Sequence, residues 1–270
     1  MGTNDELLEI ATTIGRRAGE LIVRRHREGV QIAASKSAPE DIVTLADRES
    51  EALIRDALAA ARPNDGFYGE ESGAETGTSG LTWVVDPIDG TVNYAYGIPA
   101  YAVSIAVVEG EPDPATWRAI AGAVLNPAIG EEFTGAVGAG ARLNGSALQV
   151  RSGVELPLAL IGTGFSYSST MRARQADVVR GLIEQVRDIR RIGSAALDLC
   201  SVAAGRLDAY YERSLNPWDH AAGALIAREA GAKVGGLDGA KESRELLIAA
   251  EPSLYGHLES ALASLDVLAG

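Results

Sequence analysis

The chain has 270 residues, 46% hydrophobic and 23% charged, enough for one large core or two smaller ones that fold without staples. Its 37 acids against 24 Lys and Arg give a net charge of −13, which excludes the basic face that nucleic-acid binding needs and would repel an anionic substrate unless a cation reversed the local charge. A single cysteine, Cys200, excludes an intramolecular disulfide and points to a reducing cytoplasm, while the acidic MGTNDELLEI segment and the lack of any apolar run near roughly 18 residues argue against a secretion signal and a membrane span.

From Thr3, the residues Leu7, Ile10, Ala11, Ile14, Ala18, Leu21 and Ile22 recur at helical spacing behind a Thr3/Glu6 capping box, predicting an amphipathic helix. After SKSAPED, Ala46, Leu53, Ile54, Ala57 and Leu58 predict a second helix that ends before Pro63, so two helices are expected ahead of the first strand. Short apolar runs between Gly-rich turns follow: GFYG, LTWVV, YAVSIAVV, AIAGAVL and a hairpin through EEFTGAVGAGARLNG. They predict a mostly antiparallel sheet. The second half alternates. LALIGTGF reads as strand, Met171 to Arg187 as helix, Ser194 to Ala204 as a packed helix around Cys200, and LDAYYE as strand. A helix starts near Pro217, ELLIAA is a strand, and Leu254 to Leu265 is helical. The pattern predicts an α/β layered sandwich without internal repeats, with subdomains 1–146 and 147–270 packed as one unit.

Carboxylates stand at the ends of elements in four places: Asp47 in LAD, Glu70 and Glu71 in YGEES, Asp86 and Asp89 in DPIDGT, and Asp219 in NPWDHAAG. Each alone fits an ordinary role. Asp47 suits a helix first turn, Glu70 and Glu71 a loop, Asp86 and Asp89 a turn around Pro87, and Asp219 the positive end of the helix starting at Pro217. Together they are the hard oxygen donors that Mg²⁺ takes beside a substrate phosphate. Pro87 would stiffen the turn so that Asp86, the Ile88 carbonyl and Asp89 point into one space, with Gly90 and Thr91 offering N–H groups to phosphate at the start of a short helix. Neither an EF-hand loop nor the D-x-D-G-T of haloacid-dehalogenase-type phosphatases fits this spacing.

DIVTLAD (Asp41 to Asp47), GEES (Gly69 to Ser72), WVVDPIDGTVNY (Trp83 to Tyr94) and PWDHAAG (Pro217 to Gly223) follow one another in order. With them the chain resembles, over nearly its whole length, the inositol monophosphatase family of metal-dependent, lithium-sensitive phosphatases. The resemblance implies an alternating α-β-α-β-α sandwich, shared with fructose bisphosphatases, and two or three Mg²⁺ ions per active site. It implies Glu70, Asp86 and the Ile88 carbonyl on one ion and Asp86, Asp89 and Asp219 on a second, with Glu70 also helping to hold a weaker third. Thr91, paired with Asp47, would orient and deprotonate the attacking water, and the Gly90 and Thr91 amides would hold the phosphate. Glu212 and Asp219, with the backbone at Gly193 and Ala195, would meet the leaving alcohol.

The implied reaction is hydrolysis of myo-inositol monophosphate to inositol and phosphate by metal-activated water, in a cytoplasmic homodimer with no nucleic-acid or membrane partner. Histidinol phosphate, fructose 1,6-bisphosphate and 3′-phosphoadenosine 5′-phosphate are the alternative esters, and a non-catalytic interaction protein is the alternative of another class. No aromatic or basic cluster near Glu212 marks a nucleotide pocket. The TGFSY stretch (Thr163 to Tyr167) matches a substrate-side loop and Lys36 a basic position near the site. Tyr94, Tyr96 and Ile98 are expected to pack, and His26, His220 and His257 to be surface or packing residues.

Overall fold

The computed structural model describes residues 3–35, 42–110 and 113–269. Helix α1 (Asn4–Glu28) is capped by Thr3, whose side chain accepts from Glu6 N, and is followed by a short antiparallel hairpin, β1 (Ile32–Ser35) and β2 (Ile42–Thr44). Two helices therefore do not precede the first strand: the hairpin stands between α1 and α2 (Leu45–Ala61). Lys36 and Asp41 lie outside the described residues.

Next come β3 (Gly66–Gly69), β4 (Gly73–Glu75), β5 (Leu81–Asp89), the short helix α3 (Thr91–Tyr96), β6 (Ala102–Glu109) and β7 (Arg118–Asn126). Strands β8 (Glu131–Ala136), β9 (Gly140–Leu143) and β10 (Ser146–Ala147) complete a sheet of order β10-β9-β8-β7-β6-β5-β3-β4, antiparallel except where β3 runs parallel to β5. The second half contributes β11 (Leu160–Thr163), α4 (Ser169–Leu182), β12 (Asp188–Arg190), α5 (Ala195–Ala203), β13 (Ala209–Glu212) and α6 (Pro217–Glu229). It ends with β14 (Lys233–Gly235), β15 (Leu247–Ala250) and α7 (Pro252–Ser264). The second sheet has the order β12-β11-β13-β15-β14 and mixes parallel and antiparallel pairs.

Five layers alternate: α1 and α2, the first sheet, α5 and α6, the second sheet, then α4 and α7. Strand β6 shows why both faces of the first sheet are covered. Val103, Ile105 and Val107 join Leu7, Ile14 and Ile54 in one core, while Ala102, Ala106 and Val108 join Cys200, Ala222 and Ile226 in another. A strand buried on both sides reads as an unbroken apolar run, which is the YAVSIAVV texture. The face toward α6 carries small residues. A Cβ on Gly122 would lie 3.1 Å from Ala222 Cα, so α6 sits close on the sheet and its first turn reaches the β5 carboxylates.

Candidate active site

Strand β5 is buried along its whole length and runs through Asp86 to Asp89, so these acids lie within a strand and not in a turn after it. Residues three apart on a regular strand face opposite sides of the sheet. Here Asp86 pairs with Ser104 and Asp89 with Ala102, so three steps on β5 match two on β6. The extra residue is a β-bulge at Pro87–Ile88, and it re-aims the strand so that both carboxylates line one cavity. Ile88 N donates to Asp86 Oδ1 (3.0 Å), which shapes the bulge further.

That cavity, about 430 Å³, is lined by Glu70, Asp86, Ile88, Asp89, Gly90, Thr91, Glu212 and Asp219, all of them predicted from the sequence. The parallel β3–β5 pairing places Glu70 one step beyond Gly69, with Glu70 N donating to Val85 O (3.2 Å), beside Asp86. Asp47 and Asp219 are each the third residue of a capped helix. Thr44 N (2.7 Å) and Thr44 Oγ1 (2.5 Å) donate to Asp47 Oδ2, and Asn216 N donates to Asp219 Oδ2 (2.6 Å). The ordinary helix-cap role and the site role thus fall on the same side chains. Asp47 Oδ1 remains for Thr91 Oγ1 at 3.2 Å, and the same hydroxyl lies 2.9 Å from Ile88 O.

Asp89 is anchored from α5: Ser194 Oγ (2.6 Å) and Ala196 N (2.7 Å) donate to its Oδ2. Gly193 and Ala195 are not part of the cavity wall. Gly193 backs it, because its carbonyl would stand 3.1 Å from a Cβ on Gly90, and both glycines have positive φ, 97° and 89°. Asn93 Nδ2 ties this junction together by donating to Ala100 O (2.8 Å) and Ile192 O (2.9 Å).

Sequence reading did not single out Ser194, Asn93 or Glu51 as parts of the site. Glu51 is buried and its Oε2 accepts from Glu71 N (2.8 Å), while a Cβ on Gly69 would fall 2.4 Å from that oxygen. The small first residue of GEES was the visible sign of that packing. The wall also contains Phe165, Ser166, Tyr167, Trp218 and Arg244. The Phe165–Tyr167 part of TGFSY therefore does face the site, and aromatic and basic residues do share the cavity with Glu212, contrary to the expectation of none.

Desolvation dominates the electrostatics. Burial raises Asp86 and Asp219 well above the usual carboxylate range, with neighbouring acids adding to it, lifts Asp89 to about 6, and lifts Asp47 and Glu212 to about 7. Among the described residues no three acidic, histidine or cysteine side chains form a ready-made metal cage. The donor set nevertheless suits Mg²⁺, which keeps several waters and binds through one or two carboxylates plus substrate phosphate. Hard oxygen donors lie side by side in the wall, and a bound cation would relieve their repulsion.

The histidines stay out of the site: burial pushes His220 down to about 4, and His26 meets Tyr94 edge-on and stacks with Tyr101. Tyr94 packs as expected, its hydroxyl donating to Ile22 O (2.9 Å), but Tyr96 and Ile98 are 79% and 48% exposed. Tyr96 is the last residue of the site helix α3, and Ile98 follows its C-cap Gly97, where φ is 71°.

The profile of the inositol monophosphatase family matches residues 3–266. The chain belongs to that family. It is 50% identical over 229 residues to the inositol-1-monophosphatase SuhB of Mycobacterium tuberculosis, covering 82% of this chain and 77% of that one. It is 41% identical over 250 residues to the Nus factor SuhB of Pseudomonas aeruginosa, covering 88% of each. The extragenic suppressor protein suhB of Bartonella henselae superposes with a TM-score of 0.87 at 35% identity, over 95% of this chain and 98% of that one. Family membership makes the protein a phosphoric monoester hydrolase with the layered α/β fold of these relatives. No helix among the described residues is long and apolar enough to cross a membrane.

Proposed function

We propose that the protein is a Mg²⁺-dependent phosphomonoesterase that hydrolyses myo-inositol monophosphate to inositol and phosphate. The observation that carries this reading is the bulge in β5, which turns Asp86, the Ile88 segment and Asp89 toward one cavity with Glu70, Asp219 and the Thr91–Asp47 pair. Glu70, Asp86, the Ile88 carbonyl, Asp89 and Asp219 would hold the two or three ions. When bound, Mg²⁺ supplies the positive charge that offsets these carboxylates and the phosphate and that acidifies water.

The chain's own residues supply the rest. Thr44 engages Asp47 Oδ2 and leaves Oδ1 to take the proton of Thr91 Oγ1 as that hydroxyl orients the attacking water and takes a proton from it. Burial holds Asp47 above the usual carboxylate range, which favours it as the acceptor of that proton. The Gly90 and Thr91 N–H groups, at the start of α3 and without intrahelical partners, bind phosphoryl oxygens. Glu212 accepts hydrogen bonds from hydroxyls of the leaving alcohol. Gly193 and Ala195 serve that side by anchoring the wall, since the α5 amides are spent on Asp89. Residues 1–146 thus supply most of the charged centre and 147–270 the alcohol side.

The retained acids argue against a non-catalytic scaffold, which has no need to bury mutually repelling carboxylates. Cytoplasmic residence suits the single buried cysteine. A homodimer suits exposed Tyr96, Ile98 and Ile129, carried on two segments that Asn126 Nδ2 links by donating to Pro99 O (3.1 Å).

Phosphate release tests the reading, with Mg²⁺ and with or without lithium, from inositol 1-phosphate, histidinol phosphate, fructose 1,6-bisphosphate and 3′-phosphoadenosine 5′-phosphate. Inositol 1-phosphate should give the highest kcat/KM, lost on chelation. Preference for the nucleotide would assign Phe165, Tyr167, Trp218 and Arg244 to base and phosphate recognition instead. Asp89→Asn should nearly abolish turnover with an unchanged circular dichroism spectrum; turnover like the wild type would sink the metal assignment.

A further inference from the structure

The carboxylate of Glu212 is held on two sides. Tyr210 and Glu212 lie two apart on β13 and so share one face of the strand. The Tyr210 hydroxyl, fully buried, donates to Glu212 Oε2 at 2.5 Å. On the other side, the parallel register of β11 with β13 pairs Gly162 with Tyr210 and Thr163 with Tyr211, so Gly164 falls opposite Glu212 just past the end of the ladder. A Cβ on Gly164 would lie 1.9 Å from Oε2 and 2.3 Å from Oε1, a space that any larger residue would fill. Gly164 has no positive φ to explain it. The glycine is required by the carboxylate lying on its Cα.

We propose that Tyr210 and Gly164 are positioning residues for substrate selection: they pin Glu212 so that Oε2 is committed within the protein and Oε1 is left to accept from a hydroxyl of the leaving alcohol. This rests on the reading of Glu212 as the group that meets that alcohol. A carboxylate free to rotate would present either oxygen in many directions and select weakly. A pinned one rewards a donor at one place, because a site built for a hydroxyl is left unpaired by an alcohol without it. Burial raises Glu212 overall, and the Tyr210 bond is the largest influence opposing it in favour of the charged, acceptor form, ahead of Arg191.

The experiment compares inositol 1-phosphate with p-nitrophenyl phosphate, whose leaving group has no hydroxyl beyond the ester oxygen, in wild type, Tyr210→Phe, Gly164→Ala and Glu212→Gln. For Tyr210→Phe the ratio of kcat/KM between the two esters should fall about tenfold, the scale of one lost hydrogen bond to a charged group, with the loss carried by KM for the inositol ester. Gly164→Ala should lower the ratio at least as far by displacing the carboxylate. If both esters lose equally, or the ratio holds in Tyr210→Phe and Gly164→Ala while Glu212→Gln lowers it, positioning is overturned and the reading of Glu212 stands. A ratio unmoved by Glu212→Gln overturns that reading and the proposal with it. Circular dichroism reports the folding of each variant independently of activity, and if Gly164→Ala fails to fold, Tyr210→Phe and Glu212→Gln decide the test.

Discussion

Thr91 has one proton to give and two acceptors in reach, Ile88 O at 2.9 Å and Asp47 Oδ1 at 3.2 Å. With the proton drawn to Asp47, the hydroxyl keeps its lone pairs for a water; drawn to Ile88 O, it competes with whatever that carbonyl would hold. Thr91→Val removes the hydroxyl at nearly constant volume and should lower kcat by about 10²–10⁴, the range for a lost acid–base partner, with little change in KM. Thr91→Ser should keep most of the rate. Steady-state kinetics on both variants decide it, and a Val variant with normal kcat would remove Thr91 and Asp47 from the mechanism. At this scale the sequence was readable where charge broke an apolar run: Asp47, Glu70, Asp86, Asp89 and Asp219 stand out because acids there are costly. Their anchors were not. Ser194 meets Asp89 across 105 positions, and Ser, Asn and Tyr occur too widely for one to be picked out. Gly69 and Gly164 marked hidden carboxylates that only the fold reveals.

The start of α1 and the end of α2 before Pro63 were legible in the sequence, because their apolar faces repeat over many turns behind clear boundary residues. The helix expected from Met171 to Arg187 instead ends at Leu182, and Asp188–Arg190 forms the edge strand β12, whose three residues are too few to show a period. The same brevity hid β1, β2, β4, β10 and β14. The bulge in β5 was invisible for another reason: it is defined by the partner strand's register, which no local pattern encodes. The approach of α6 to the sheet is likewise set by a pair distant in sequence, Gly122 and Ala222. Gly122→Val should force α6 outward and carry Asp219 with it. Such overpacking costs about 1–3 kcal/mol. Urea unfolding should show that loss, and the Mg²⁺ concentration for half-maximal activity should rise. Lost stability with an unchanged Mg²⁺ requirement would mean that α6 is not the element that sets the position of Asp219.

The whole molecule carries excess negative charge, and its centre concentrates acids that burial disfavours as anions. In metal-free protein, Asp89 at about 6 and Asp47 and Glu212 at about 7 bind protons that the unfolded chain, with carboxylates near 4, has already released. Between those limits the native state holds more protons, so stability falls as pH rises, fully present below pH 4 for these groups and lost through pH 6 to 7. Other carboxylates titrate the opposite way at the acid end: Asp65, held below its usual range against burial by bonds from Arg62, Ser79 and Trp83, loses its contribution as pH drops through its lowered folded value. Chelated protein should therefore melt at a lower temperature at pH 8 than at pH 5.5. A ligand that binds only the native state stabilises by RT ln(1 + L/Kd), with L its free concentration, and Mg²⁺ binds the deprotonated set. Added Mg²⁺ should raise the melting temperature much more at pH 8 than at pH 5.5, and Asp89→Asn should shrink that difference. Thermal melts with chelator and with Mg²⁺ at the two pH values measure it. A Mg²⁺ shift independent of pH would show that the ion does not reach these buried acids.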